Sequence, residues 1–315
     1  MSLYMNAGAP ELPKVTFGFV NCNRLHYLRS CVESLLETTF DYPNKEIIVV
    51  DNASSEDGTD EYLESLRSRG YIAHKMTKRE PSNEYAKALN FIAEHSTGDF
   101  VVPIPADMQF VIKGKWLREY VEFFEKHKDS VGCISFDAQR RVRNKSGSYS
   151  GMLGDGEMKF LFHFNRNPVM GAANCMLSKG MLSKMYPWSD SNESHDGGQD
   201  SETKMLQKIS DFIKRDGLSI FYAAPKIPVS VAIFNDDGST ARIRENRRYG
   251  KYEAPLDGVH YYKVHDFEQV VEEYKDFEIP VGIEDVSEAI GWTLPIDGNG
   301  DWIKSKGSES IWEDL

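Results

Sequence analysis

Apolar runs of strand length alternate with segments of helical period from residue 15 to residue 136. Val15 to Val20 is the kind of run that a strand buried on both faces shows. Residues 24 to 39 then place Leu28, Cys31, Val32 and Leu35 at i, i+3, i+4 and i+7, one apolar helix face with Asn23 as a plausible N-cap. Glu46 to Val50 (EIIVV) predicts a second strand that stops at Asp51-Asn52. A helix near 57 to 69, a strand at 71 to 75 and a helix from about Glu84 to His95 follow, the last with Ala86, Leu89 and Ala93 inward. Asp99 to Ile104 predicts the next strand. Pro103 has no N–H to give to a ladder, which argues against a central place for the end of that strand. Residues 113 to 128 put Trp116, Leu117, Tyr120, Val121 and Phe124 on one helical face, and Gly132 to Phe136 reads as a strand.

This rhythm predicts an α/β fold: a mostly parallel, doubly wound sheet with right-handed crossovers, whose ligands bind beyond the carboxyl ends of the strands. The second half is less regular. Arg140 to Gly156 reads as a long surface loop, Met158 to Phe164 and Val169 to Leu177 as mixed or antiparallel strands, and Gly-Gly-Gln-Asp at 197 to 200 opens a helix with Leu206, Ile209 and Ile213 inward. Leu218 to Tyr222 and Ile227 to Phe234 read as strands, and a short helix is expected from about His265 to Tyr274. The predicted organisation is a tail (1–14), a main domain (15–255) divided into 15–110 and 111–255, and a C-terminal extension (256–315) packed on the main domain.

Composition narrows the function. The 315 residues carry 37 Lys plus Arg against 49 Asp plus Glu, a net charge of −12 that disfavours nucleic acid as a partner. No uninterrupted apolar stretch has the length of an integral membrane segment, and residues 1–14 show no basic region followed by an apolar one. A cytoplasmic chain is expected, and a peripheral position at a membrane stays compatible with it. Cys22, Cys31, Cys133 and Cys175 stand far apart, which argues for reduced thiols rather than a disulfide framework or a zinc knuckle.

Polar residues at predicted strand ends are the first candidates for chemistry: Asn21 to Arg24, Asp51-Asn52, and Asp107. Asp51 is either an acceptor for a nucleobase N–H or ribose hydroxyl, or the anchor of an Asx turn. Asp107 stands just past the predicted strand that ends at Ile104, where it would start a turn, and Asp200 has the chemistry of a helix N-cap. Arg242, Arg244, Arg247, Arg248 and Lys251 are either a lid over a bound diphosphate or a solvated charged face. No G-x-G-x-x-G follows the first strand and no G-x-x-x-x-G-K-[ST] occurs, so a Gly-rich phosphate cradle is unsupported.

The run VTFGFVNCNRLHYLRSCVESLLETTFDYPNKEIIVVDNASSEDGTDEYLESL resembles the nucleotide-binding half of the inverting family 2 glycosyltransferases of GT-A fold. NEYAKALNFIAEHSTGDFVVPIPADMQF resembles the segment leading to that family's D-x-D metal motif. VMGAANCMLSKGML with GGQDSETKML resembles its acceptor-side strand and helix and the segment supplying the catalytic base. The resemblance implies a metal-assisted, inverting transfer of sugar from a UDP-, GDP- or dTDP-sugar donor to a glycan or other hydroxyl acceptor, as in polysaccharide biosynthesis. Val20, Cys22, Arg24 and Asp51 would wall the nucleotide pocket, with Asp51 facing the base and Lys87 near the ribose or diphosphate. Asp107 would hold Mn²⁺ or Mg²⁺ between the phosphates. Asp200 would be the general base, with Asp196 as the fallback, and Arg247 and Arg248 would contact the diphosphate.

Two departures from the family pattern bear on this reading. Cys22 stands where many relatives have an aromatic residue, and Pro105 stands where they have the first acidic residue of D-x-D. The family's metal-binding histidine is also unmatched: Asn235 stands near the expected place, and His260 and His265 lie farther on. These departures keep a second expectation alongside the first, a catalytically weak or inactive nucleotide-sugar-binding protein of the same fold.

Overall fold

The computed structural model describes residues 12–80, 83–106, 108–136, 151–164, 175–188, 221–232 and 264–276, with the single positions 208, 211 and 215. Its first half is a strict strand–helix alternation: β1 (Val15–Asn21), α1 (Leu25–Thr38), β2 (Lys45–Asp51), α2 (Thr59–Ser68), β3 (Ile72–Lys75), α3 (Glu84–His95) and β4 (Phe100–Pro105). Then come β5 (Met108–Phe110), β6 (Ile112–Lys113), α4 (Trp116–His127), β7 (Val131–Ser135), β8 (Gly151–Leu153), β9 (Phe160–Phe164), β10 (Cys175–Ser178) and α5 (Lys179–Met185). β11 (Phe221–Pro225), β12 (Ser230–Ala232), β13 (His265–Asp266) and α6 (Phe267–Glu273) complete the described elements.

Nine strands form one sheet in the order β3-β2-β1-β4-β10-β7-β11-β9-β8. The pairings β1/β2, β2/β3, β1/β4 and β7/β11 are parallel; only β10 and β9 run against the others. Period-2 alternation divides the apolar residues between two faces. Phe17, Phe19, Ile47 and Val49 join one core with Leu28 and Leu35 of α1, Leu63 of α2 and Trp116 and Phe124 of α4. Val20, Ile48 and Val50 join the other with Leu89 and Ile92 of α3 and Leu182 of α5. Helices therefore cover both faces, as a mostly parallel sheet requires. Gly18 makes the closest approach: a Cβ there would lie 2.3 Å from Ile92 Cγ2, so α3 rests directly on the β1 backbone.

Three local expectations change, and the one on Pro103 agrees with the described pairings. Arg24, not Asn23, occupies the α1 N-cap position, with no side-chain cap; Asn23 sits in the left-handed region at φ 48°. The fourth helix begins at Trp116 rather than 113, because Gly114 has φ 126°, a value no helix contains. β4 lies inside the sheet, yet its described pairing with β10 covers only Phe100 and Val101, so the stretch from Pro103 is laddered to β1 alone among the described residues. The expected surface loop at Arg140 to Gly156 contributes β8 to the sheet through its pairing with β9; residues 137–150 lie outside the described set.

Of the expected C-terminal extension, α6 is described. Its Phe267 and Val270 are buried in the main core, and β13 pairs in parallel with β6.

Candidate nucleotide site at the carboxyl edge

The connection after β3 carries the chain past β1 to form β4, so the direction of strand addition reverses between β1 and β4. A crevice at such a switch point is where open α/β sheets hold ligands. Its walls are the carboxyl ends of three strands, fixed by register: Asn21 lies opposite Asp51, and Val20 opposite both Val50 and Pro105.

Asp51 is fully buried, and both of its oxygens are in use. Oδ1 accepts from Asn21 Nδ2 at 2.7 Å and from Ser54 Oγ at 2.5 Å, and Oδ2 accepts from Ser54 N–H at 2.8 Å. This is the Asx-turn alternative realised, with Asn21 added from the neighbouring strand. Ala53 takes φ 52° to close the turn. Three donors engage the Asp51 carboxylate, which has room for about one more at Oδ2, so bracing the turn and facing a base are compatible roles.

The two loops are tied further. Ser54 Oγ accepts from Asn23 N–H at 2.7 Å, Asn23 Oδ1 accepts from Ser55 N–H at 2.8 Å, and Glu56 Oε2 accepts from Leu25 N–H at 2.7 Å. Glu56 thus satisfies a donor at the start of α1 that no local side chain caps. Cys22 Sγ lies 3.6 Å from Asn52 O, and Asn52 N–H donates to Asn21 O at 2.8 Å.

The sequence marks the Asp51-Asn52 pair as a candidate without giving Asn52 a role of its own. Asn52 is 3% exposed, and its Oδ1 has no hydrogen-bond partner; Asn21 Oδ1, on a side chain 1% exposed, has none either. Buried amide oxygens left unmatched are costly, about 1–3 kcal/mol each, which marks them as acceptors awaiting a donor. The D-N-x-S spacing was the available clue: if Asp closes the turn onto Ser, the next side chain is released from that task.

Val20 is buried near the end of β1; Cys22 and Arg24 are half-buried on the loop after it. Lys87 sits in the first turns of α3, where it donates to Glu80, which also pairs with Lys78 at 3.0 Å. These bonds from Lys87 and Lys78 hold the Glu80 carboxyl down to about 2. Arg79 is engaged by both oxygens of Glu84 at 3.0 Å each. Asp107, Asp196, Asp200, Arg247 and Arg248 lie outside the described residues, as do Asn235 and His260. His265 is placed by β13 against Ile112, in a separate two-stranded ladder. Among the described residues no three His, Cys, Asp or Glu side chains gather as a cation site, and no helix is long and apolar enough to cross a membrane.

Comparison with known proteins gives a match to the family model Glycosyl transferase family 2 over residues 18–185. Uncharacterized protein y4gI of Sinorhizobium fredii (strain NBRC 101917 / NGR234) is 32% identical over 122 residues, which is 39% of this chain and 13% of that protein. Among solved structures, S. aureus TarS is 15% identical at a TM-score of 0.48, covering 67% of this chain and 35% of its own. Mannosyltransferase PcManGT from Pyrobaculum calidifontis, in complex with GDP-Man and Mn²⁺, is 17% identical at a TM-score of 0.46, covering 76% and 63%. The chain thus spans about an eighth of the curated relative and about a third of TarS.

Proposed function

The chain belongs to glycosyl transferase family 2, and from that premise we propose that it moves a sugar from a nucleotide-diphosphate donor to an acceptor hydroxyl with inversion at the anomeric carbon. The observation that supports the reading lies at the carboxyl ends of β1 and β2, where the buried Asn52 amide oxygen has no hydrogen-bond partner beside a loop pair braced by Asp51. A nucleobase offers what Asn52 lacks, a ring N–H donor. Asn52 is the proposed base contact, with Asp51 holding the turn that presents it, and Val20, Cys22 and Arg24 forming the surrounding wall.

Phosphates of the donor would run from this pocket toward α3 and the end of β4. Lys87 is the proposed α3 contact and would leave Glu80 to reach them. Arg247 and Arg248 are proposed on the opposite side, as bidentate phosphate contacts.

Asp107 follows Ala106 and precedes Met108, both buried, just past the end of β4. One carboxylate there fits a hard cation that draws its remaining ligands from the diphosphate and water, whereas Pro105 supplies no side-chain oxygen. A divalent cation held at Asp107 would neutralise charge developing on the diphosphate. Asp200 is the proposed general base. Its ionised carboxylate takes the acceptor hydroxyl's proton while that oxygen bonds to the anomeric carbon, and the bond to the diphosphate oxygen breaks on the opposite face.

The test is turnover with purified UDP-, GDP- and dTDP-sugars, read as nucleoside diphosphate release, for the native chain and Asp200→Asn. Transfer lost in Asp200→Asn with donor binding retained supports the assignment. Donor binding by the native chain without any transfer would favour the second reading, a nucleotide-sugar-binding protein, for which Pro105 in place of an acidic residue is the specific observation.

A further inference from the structure

α6 is fastened near its two ends and leaves a space beneath it. At its start Phe267 is fully buried, β13 adds the preceding residues to β6, and Lys115 Nζ lies 5.5 Å from the centre of the Phe267 ring. Past its end, Lys226 Nζ donates to Lys275 O at 2.8 Å. Between these ties Ile112, Met158, Ile227, Val270, Val271 and Tyr274 line a cavity of about 100 Å³. It lies at the carboxyl end of β11, which runs into Lys226 and Ile227, four strands along the sheet from β1.

Protein interiors pack as densely as organic crystals, and voids larger than a water molecule are few. A space lined by apolar side chains stays dry and costs stability while it stands empty, so an apolar guest is favoured there. A cavity of ~150 Å³ lined by Leu, Ile and Phe takes benzene; by that measure the space under α6 suits a chain of about four or five carbons.

The charged residues around the cavity select the other end of such a guest. Lys159, Lys226 and Lys275 stand there with one carboxylate, Glu157, in a chain whose net charge is −12. Glu157 is matched by Lys115 at 2.6 Å, and Lys275 by Glu272. Lys159 differs. Its Nζ donates to Gly154 O at 2.8 Å and to Gly156 O at 3.0 Å, and no carboxylate pairs with it among the described residues. An ammonium has three N–H groups, so two aim the Lys159 head and one is left for an anion.

We propose that the cavity under α6 binds an anionic amphiphile: a short aliphatic chain seated between α6 and Met158, with a carboxylate or phosphate head held by Lys159. The guest fills the seam between α6 and the main core and so ties the helix down along its length.

The experiment uses the full-length chain and four probes: hexanoate, hexyl phosphate, hexanol and acetate. Titration calorimetry is expected to show one of the two charged six-carbon probes binding about tenfold tighter than hexanol, which lacks the charge, and than acetate, which lacks the chain. Whichever of hexanoate and hexyl phosphate binds more tightly identifies the head group. Hydrogen exchange in peptides of 267–273 should slow on binding, while peptides of β1 and β2 keep their native rates. Lys159→Met should weaken the charged probes about tenfold and leave hexanol unchanged, with Lys159→Arg restoring them. Because Lys159 also braces the turn at 154–156, Val271→Phe is measured beside it. That change, at a half-buried position, should fill the space, abolish binding of every six-carbon probe and keep the thermal midpoint at or above native. Absence of binding by both charged probes, hexanol binding as tightly as they do, or undiminished binding in Val271→Phe would each overturn the proposal.

Discussion

Asn21 and Asp51 face each other across the β1/β2 ladder and are joined by a 2.7 Å hydrogen bond inside the protein, with neither residue more than 1% exposed. Because Asp51 also accepts twice from Ser54, this one carboxylate closes the turn after β2 and fastens it to the end of β1. Asp51→Ala would strand the Asn21 and Ser54 donors in a dry site. A loss of about 3 kcal/mol is expected, read as a lowered urea midpoint with an unchanged slope. A variant as stable as the native chain would mean that the brace is dispensable.

Asn52 has the opposite profile, a buried amide whose oxygen does nothing for the fold. Asn52→Ala is therefore expected to leave the thermal midpoint within a degree or two of native while weakening nucleoside diphosphate binding about tenfold, the equivalent of one lost buried hydrogen bond. Titration calorimetry with UDP, GDP and dTDP measures it. Equal affinities for native and variant chains would remove Asn52 from the base contact.

For Asp107 the expected effect is a loss of metal dependence. Thermal-shift titrations of native protein with each diphosphate should differ between Mn²⁺ and EDTA, since a ligand that binds only the folded state raises its stability. Asp107→Ala should give the same smaller shift in both. A native chain indifferent to Mn²⁺ would remove the cation from the site.

At the other edge of the sheet, Glu46 receives Thr16 Oγ1 at 2.7 Å, and Thr97 N–H and Thr97 Oγ1 at 2.9 Å each. Burial alone pushes this carboxyl up, but these hydrogen bonds and the Lys14 charge outweigh it and hold it below the ordinary value of 4.5. A group lowered on folding stabilises the protein above its unfolded value, and that stability drains away as pH falls through the folded one. Glu46→Gln should accordingly melt below native at pH 7, with the gap closing as pH falls below 4.5. A gap independent of pH would assign the effect to packing instead.

Gly18→Ala tests the contact between α3 and β1. The added methyl would meet Ile92 Cγ2 at 2.3 Å, so a destabilisation of about 1–3 kcal/mol is expected, and because Ile92→Ala removes that atom the double variant should lose less than the sum of the two single variants. Additive losses in the double variant would place the strain elsewhere.

Much of this architecture is written in local pattern. EIIVV, the i, i+3, i+4 spacing at Leu28 to Leu35, and the helical stripe from Trp116 to Phe124 each predict an element that the sheet and its covering helices contain. What local pattern misses is made by distant partners. Asn23 has the chemistry of an N-cap, yet Glu56, 31 residues away, takes the donor of α1, and Asn23 is spent on Ser55. Asp51 and Asn52 look like equally available ligands in sequence; the strand opposite divides their roles, bringing the Asn21 side chain to the Asp51 carboxylate while Asn52 meets Asn21 through the backbone. Lys87 reads as a free cation until Glu80 is found beside it. Asp107, Asp200, Arg247 and Arg248 stand on resemblance alone, since they lie outside the described residues.

The position of β10 has a consequence for how the chain is made. Synthesis completes β3-β2-β1-β4 by Pro105, but the strand that covers the other side of β4 begins only at Cys175, about seventy residues later. For that interval the nascent sheet ends in an apolar strand, the kind of edge on which unfinished chains stick to one another. Pro103 stands in that edge and withholds an N–H from any passing strand. Since β10 pairs only with Phe100 and Val101, the missing N–H of Pro103 blunts the part of that edge that β10 does not ladder among the described residues.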